Sequence, residues 1–200
     1  MSIHGDIKDF YDHTAKQSFK EWFNNDTLLP VLKYFVSKIP AKPRILDLGC
    51  GVGGESKRLS DLNASVLGID VSEKSLEIAR KKVPKAEFRY LDILFMKFRP
   101  QSFEGILDAG TLFHFNAMEQ NKILKDINKI LVKAGVFLSY YPEGNKEGIQ
   151  KIKIGEKIFR RYRRFISMKD WREQVLQAGF KRCEPVKFKY KNFKATIFYK

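Results

Sequence analysis

The stretch RILDLGCGVGGES, residues 44–56, constrains this chain more than any other: an apolar run meets an acid and then breaks into glycines. An apolar run of this kind reads as a buried strand, and the glycines open backbone conformations that other residues avoid. The sequence then continues as an amphipathic helix. Two templates fit. Gly49, Gly51 and Gly54 satisfy G-x-G-x-x-G, the dinucleotide fingerprint, while Asp47 with Gly49, Gly51 and Gly53 gives D-x-G-x-G-x-G. The first is a weak signal alone, because a tight strand-to-helix turn needs glycines whatever it binds. Both place a ligand outside the carboxyl end of the strand, at the edge of a parallel sheet.

The rest of the chain repeats the alternation. Residues 6–23 and 26–39 read as helices, with DTLLPVLKYFVSKI showing apolar residues three and four apart. ASVLGIDV predicts a second strand, and SEKSLEIARKKV a helix with Ser72 as its N-cap. AEFRYLDIL predicts a third strand and FEGILDAG a fourth; AMEQNKILKDINKILVKAG predicts a long helix stopped by Gly135. VFLSYYP is a fifth strand, SMKDWREQVLQAGF a helix ending at Gly179, and CEPVKFKY with KATIFYK a terminal hairpin. Such alternation predicts an α/β sandwich with a mostly parallel sheet. EGNKEGIQKIKIGEKIFRRYRR has little periodicity and reads as a flexible insert. The expected organisation is one domain over residues 1–200. It comprises an N-terminal helical lid (1–40), a core (41–141), a flexible basic insert (142–166), and a C-terminal helix and hairpin (167–200).

With 200 residues and 44% hydrophobic content, the chain can bury a core without staples. Its two cysteines, Cys50 and Cys183, form no disulfide framework. The first residues lack an apolar segment of the secretory type, and no run of 18 apolar residues occurs, so a cytoplasmic protein is expected. The net charge of +15 is uneven: residues 151–200 hold 16 Lys/Arg against 4 Asp/Glu, and residues 1–150 hold 22 against 19. KIFRRYRRF and KFKYKNFK interleave cations with aromatics, which suits a phosphate backbone, an acidic substrate, or simply a solvated surface.

The acids discriminate between the templates. Asp70 lies 19 residues after Gly51, at the end of the second strand, where a carboxylate accepts from ribose hydroxyls. Asp92 is expected at the end of the third strand, placed to accept from an adenine amine. Asp47 sits two residues before the first glycine, where a carboxylate would repel a pyrophosphate and attract an amine or a sulfonium. The glycine turn carries no lysine and no G-x-x-x-x-G-K-[ST]. Three acids without a cation point to a nucleoside ligand with little or no phosphate.

ILDLGCGVGGES, VLGIDVSEKSLEIAR, FRYLDIL, FEGILDAGTLFHF and INKILVKAGVFLSY resemble, in order and spacing, the successive motifs of class I S-adenosylmethionine-dependent methyltransferases, over about residues 43–141. RYRRFISMKDWREQVLQAGF resembles the segment before the last helix of small free-standing members. FYDHTAKQSF resembles their Tyr-Asp-x-x-Ala lid, with Ser18 where a second tyrosine is usual. The resemblance implies a Rossmann-like three-layer sandwich with a seven-stranded, mostly parallel sheet and an antiparallel last strand. It implies S-adenosyl-L-methionine as cofactor and S-adenosyl-L-homocysteine as product. Asp47, Gly49 and Gly51 would line the methionine end, Cys50 between them would be part of the cofactor site, and Gly53 would permit close approach. Asp70 would hold the ribose, Val71 the adenine, Asp92 and Ile93 the adenine edge, and Asp108 and Ala109 would supply backbone contacts. Asp108 departs from the family pattern, either adding a fourth acid or turning away. Cys50 is read as structural rather than nucleophilic.

Methyl transfer from a sulfonium is an in-line displacement, so holding the acceptor on axis and excluding water do most of the work. A base is needed only for an acceptor that carries a proton, and His114 is the candidate. Tyr140 and Tyr141 are expected to face the acceptor, with Tyr11 and Trp22 closing over the cleft. His4 and His13 lack metal-ligand spacing, so no metal is expected. The fourth strand is followed by DAGT, not Asn/Asp-Pro-Pro-Tyr/Phe or Pro-Cys, which disfavours two routes to nucleic-acid methylation. A small molecule is the first expectation for the acceptor. RNA on the basic C-terminal quarter is the second, and a non-catalytic, cofactor-binding regulator the third. Oligomeric state is not legible.

Overall fold

Ile45, Leu46 and Leu48 are fully buried, and that burial on both faces makes residues 44–48 a central parallel strand. In the computed structural model, which describes residues 3–200, this is strand β1 (Arg44–Leu48). It is followed by α3 (Gly54–Asp61), β2 (Ser65–Asp70), α4 (Glu73–Lys82), β3 (Glu87–Tyr90) and β4 (Phe103–Asp108). Helices α1 (Ile3–Trp22) and α2 (Leu29–Val36) precede them. After β4 come α5 (Ala117–Ile130), β5 (Leu131–Pro142), β6 (Glu147–Ile154), β7 (Lys157–Arg164), α6 (Met168–Gln177), β8 (Arg182–Tyr190) and β9 (Phe193–Tyr199).

Seven of the strands form one sheet in the order β3-β2-β1-β4-β5-β9-β8. β1 through β5 are parallel, and β9 runs antiparallel to both β5 and β8. This is the Rossmann-like sandwich expected from the motifs. On one face, Ile123, Leu124 and Ile127 of α5 and Trp171 and Val175 of α6 pack against β1, β4 and β5. On the other, Val31, Leu32 and Phe35 of α2 cover Ile45, Leu107 and Leu138. Each such buried side chain contributes about 1.5–3 kcal/mol of transfer free energy. The chain leaves β1 toward β2 on one side and returns to β4 on the other, which opens a crevice above the carboxyl ends of the strands.

Three expectations need correction. The long helix ends at Ile130, not Gly135: Leu131 is already paired with Phe103, and Ala134 takes a positive φ of 63° in the bulge that follows. β3 ends at Tyr90, so Asp92 is not a strand residue; it caps a 3-10 turn at Ile93–Phe95. Most of the stretch read as an aperiodic insert folds into an antiparallel hairpin, β6–β7, separate from the main sheet. Its inner row is Phe159, Arg161 and Arg163, and Phe159 meets Phe10 of α1 edge-on at 5.6 Å. Among the described residues no helix is long and apolar enough to cross a membrane.

Candidate active site

The glycine turn is built from left-handed backbone. Gly49 and Gly51 have φ of +64° and +51°. A Cβ on Gly49 would collide with the Thr111 side chain, while one on Gly51 would meet nothing within 4 Å and would project into open space. The Gly51 N–H donates to Asp70 Oδ2 at 2.9 Å and the Ser72 N–H to Asp70 Oδ1 at 2.8 Å, so the two strand ends are tied through one carboxylate. Ser72 also caps α4 as expected, accepting from the Ser75 N–H.

A cleft of about 440 Å³ opens over this turn. Gly49, Cys50, Gly51, Asp70, Val71, Asp92, Ile93 and Ala109 line it, together with Tyr11, Trp22, His114 and Tyr140. Asp92 Oδ1 accepts the Leu94 N–H at 2.9 Å, which fixes its carboxylate at the wall. Glu55, in the first turn of α3, adds a third wall carboxylate that sequence reasoning passed over although it lies inside the glycine motif. Burial raises the Asp70 and Glu55 carboxyls above their ordinary range. This end of the cleft therefore holds negative potential with no lysine or arginine on its wall, unfavourable to a pyrophosphate and favourable to a cation.

Asp47, Gly53 and Asp108 stand off the wall. Asp47 is buried beneath the turn, and its Oδ2 accepts the Ser56 hydroxyl at 2.6 Å. Its Oδ1 has no partner, an orphaned acceptor. Burial pushes its carboxyl up to about 7, opposed by Ser56 and reinforced by Glu55, Asp70 and Asp108. Gly53 packs against Ala79 and Phe88. Asp108 turns away: it accepts from the Thr111 and Leu112 N–H groups and the Ser139 hydroxyl, organising the loop after β4. Burial raises it to about 6.

The opposite end is aromatic. Tyr140 stacks on Phe193 at 4.5 Å, and Phe113 meets Phe193 edge-on at 6.2 Å; all three line the cleft. Tyr141 does not face it. Successive strand residues point to opposite faces, and Tyr141 is buried in the core, stacked on Trp171 at 4.2 Å and donating to the Arg164 carbonyl at 2.6 Å. Its expected substrate role is corrected to a structural one. Tyr190, Lys191 and Phe193, from the turn between β8 and β9, were not singled out from sequence, because only folding brings that turn beside Tyr140.

His114 lines the cleft but is not free. Its Nδ1 lies 3.0 Å from the Tyr162 carbonyl, which only an N–H can satisfy, so Nε2 is the acceptor of the Tyr11 hydroxyl at 2.8 Å. Burial holds the imidazole down at about 3. Both ring nitrogens are therefore engaged, and through Nε2 the imidazole ties Tyr11 of α1 to the 3-10 turn at the cleft. His13 packs on Phe159 at 5.1 Å, and the His4 side chain lies outside the described ones.

Comparison with known proteins agrees with this architecture. A family profile described as "Methyltransferase domain" matches residues 45–135. The human eEF1A lysine and N-terminal methyltransferase is 28% identical over 131 residues, covering 63% of this chain and 18% of that protein. The chain spans half or less of the first curated relatives it matches. The DhpI–SAH complex superposes with a TM-score of 0.83 at 16% identity, covering 97% of this chain and 95% of the other. A Burkholderia thailandensis 1,6-didemethyltoxoflavin N1-methyltransferase, with 1,6-didemethyltoxoflavin and S-adenosylhomocysteine bound, gives 0.75 at 15% identity, covering 100% and 91%. The core of the chain, residues 45–135, thus matches a methyltransferase domain, carried on the sheet order and fold of these methyltransferase structures.

Proposed function

We propose that the chain is an enzyme that transfers a methyl group from S-adenosyl-L-methionine to a small-molecule acceptor, releasing S-adenosyl-L-homocysteine. The observation that carries this reading is the polarity of one cleft: carboxylates gathered on the glycine-turn end, aromatics on the other. Asp70 is the residue for the ribose hydroxyls, Val71 for the adenine face, and Asp92 with the Ile93 amide for the adenine edge. The open space over Gly51 and the Asp70, Asp92 and Glu55 carboxylates on the wall fit a cationic ligand lying on the turn. The bound sulfonium supplies an electrophilic methyl group, so the protein's share is orientation and exclusion of water. Helix α1 provides both as a lid, through Tyr11 and Trp22, with Tyr11 held by His114.

A small acceptor is favoured over RNA by where the hairpin cations go. Arg160 pairs with Asp6 and Arg164 with Glu147, while Arg161 and Arg163 point inward, so little of KIFRRYRR is free for a phosphate backbone. Among structures that match nearly the whole chain, the 1,6-didemethyltoxoflavin N1-methyltransferase holds a small molecule, 1,6-didemethyltoxoflavin. The test is incubation of the chain with methyl-labelled S-adenosylmethionine and, separately, a metabolite extract, total RNA and total protein. Label entering the metabolite pool is expected; label entering RNA or protein in its place overturns the assignment of the acceptor.

A further inference from the structure

β7 lays a row of side chains against the acceptor side of the cleft: Phe159, Arg161 and Arg163. Arg161 is only 8% exposed. Its guanidinium carbon lies 3.9 Å from the Phe10 ring centre and 6.0 Å from that of Tyr11. The Arg163 guanidinium carbon lies 5.7 Å from the ring centre of Phe113 and 6.0 Å from that of Phe165. Tyr11 and Phe113 line the cleft, so both charges stand one ring away from it. Neither arginine pairs with a carboxylate among the described residues, and the Nε of each is buried without a partner. Burial and repulsion by Arg161 disfavour the charge on Arg163, and burial disfavours it on Arg161, opposed by a hydrogen bond to the Tyr11 side chain. Two adjacent desolvated cations cost more than aromatic faces return. Lys191 lines the same end at the rim. It is the one lysine or arginine among the described lining residues.

This end therefore holds guanidinium groups with no paired carboxylate, and its one imidazole is hydrogen-bonded through both nitrogens. Of the wall carboxylates, Glu55 acts on Tyr140 electrostatically but pairs with neither arginine. Building on the methyltransferase reading, we propose that the acceptor is a small oxyacid, a carboxylate or a phosphorus oxyanion, drawn in by Arg161, Arg163 and Lys191 and methylated on oxygen. A lone pair of the oxyanion forms the new O–CH3 bond as the C–S bond breaks and its electron pair stays on sulfur. Sulfonium and oxyanion become thioether and ester, and no proton has to be removed. An acceptor already ionised at neutral pH explains a cleft whose one imidazole is committed elsewhere.

The test is nitrogen NMR of the arginine side chains in the full chain, loaded with S-adenosylhomocysteine. Sodium phosphate and sodium acetate are titrated in turn, with sodium chloride holding the ionic strength constant. The Nε–H resonances of Arg161 and Arg163 are expected to move saturably with one or both oxyanions, and whichever moves them names the acid class. Arg163→Gln is expected to weaken that binding about tenfold and Lys191→Gln, in an exposed turn that cannot unfold the core, about threefold. Shifts no larger than chloride alone produces, or unchanged affinity in both variants, overturn the proposal. Calorimetry first establishes that S-adenosylhomocysteine binds. Failure there removes the methyl-donor reading, whereas the anion titration, repeated on the unloaded chain, still reports on the arginine pair.

Discussion

The two ends of the cleft are built in opposite ways. The glycine-turn end is assembled from consecutive strand tips: Gly49 and Gly51 after β1, Asp70 at the end of β2 and Asp92 just beyond β3, with Asp70 and Asp92 each accepting the N–H two residues on and Asp70 also that of Gly51. The acceptor end draws on α1, β5, β7, the 3-10 turn at Leu112–His114 and the turn between β8 and β9, regions as far apart as Tyr11 and Phe193. A site on neighbouring strand tips is carried by any sheet of this topology, so it suits an invariant ligand. A site gathered from inserts can be rebuilt without disturbing the sheet, so it suits the part that varies.

The contrast can be broken by substitution. Asp70→Ala removes the acceptor shared by Gly51 and Ser72 and the expected ribose contact; calorimetry should show S-adenosylhomocysteine affinity falling on the order of 100-fold. An unchanged affinity would move the ribose elsewhere. Gly49→Ala forces a positive φ on a residue whose Cβ meets Thr111, so thermal unfolding should report a loss of about 2 kcal/mol, or several degrees in Tm. A variant with the parent's Tm would show that the turn relaxes freely.

At the acceptor end, Tyr11→Phe strips the donor from His114 Nε2, at about 1 kcal/mol, and should lower turnover several-fold by loosening α1. Tyr141→Phe is its control: it loses a core hydrogen bond, lowers Tm, and should leave methyl transfer unchanged. Equal effects of both on turnover would erase the distinction between wall and core. The smallest expected effect is the absence of one. With its pKa depressed to about 3, His114 stabilises the fold above the ordinary imidazole range, and that contribution is lost as pH falls through 6.5 toward 3. Its titration should therefore appear in acid unfolding and not in kcat/KM near pH 6.5. An imidazole limb there that His114→Phe abolishes would restore the base.

What was legible in the sequence follows the same division. The sheet, its helices, the glycine turn and Asp70 could be read because each depends on local periodicity, a cap, or a spacing within one strand–helix unit. The β6–β7 hairpin was not legible, because its inner row carries Arg161 and Arg163 where a strand pattern expects apolar residues. The end of α5 was misplaced because Leu131 continues the helical apolar period into β5. Tyr140 and Tyr141 were read as one pair, although strand alternation allows only one of two neighbours to face the cleft. Asp47 and Asp108 carry the right charge for a ligand wall but spend it on Ser56 and on the loop after β4, which no spacing reveals.

The central claim is that the carboxylates around this glycine turn receive a cationic adenosine-bearing donor, not a dinucleotide. Calorimetric titration of the unmodified chain with S-adenosylmethionine, and in parallel with NAD, tests it most directly. Saturable binding of S-adenosylmethionine at one site per chain, with no heat from NAD, is the expected result. A flat trace with S-adenosylmethionine, or saturable binding of NAD at the same cleft, would contradict it.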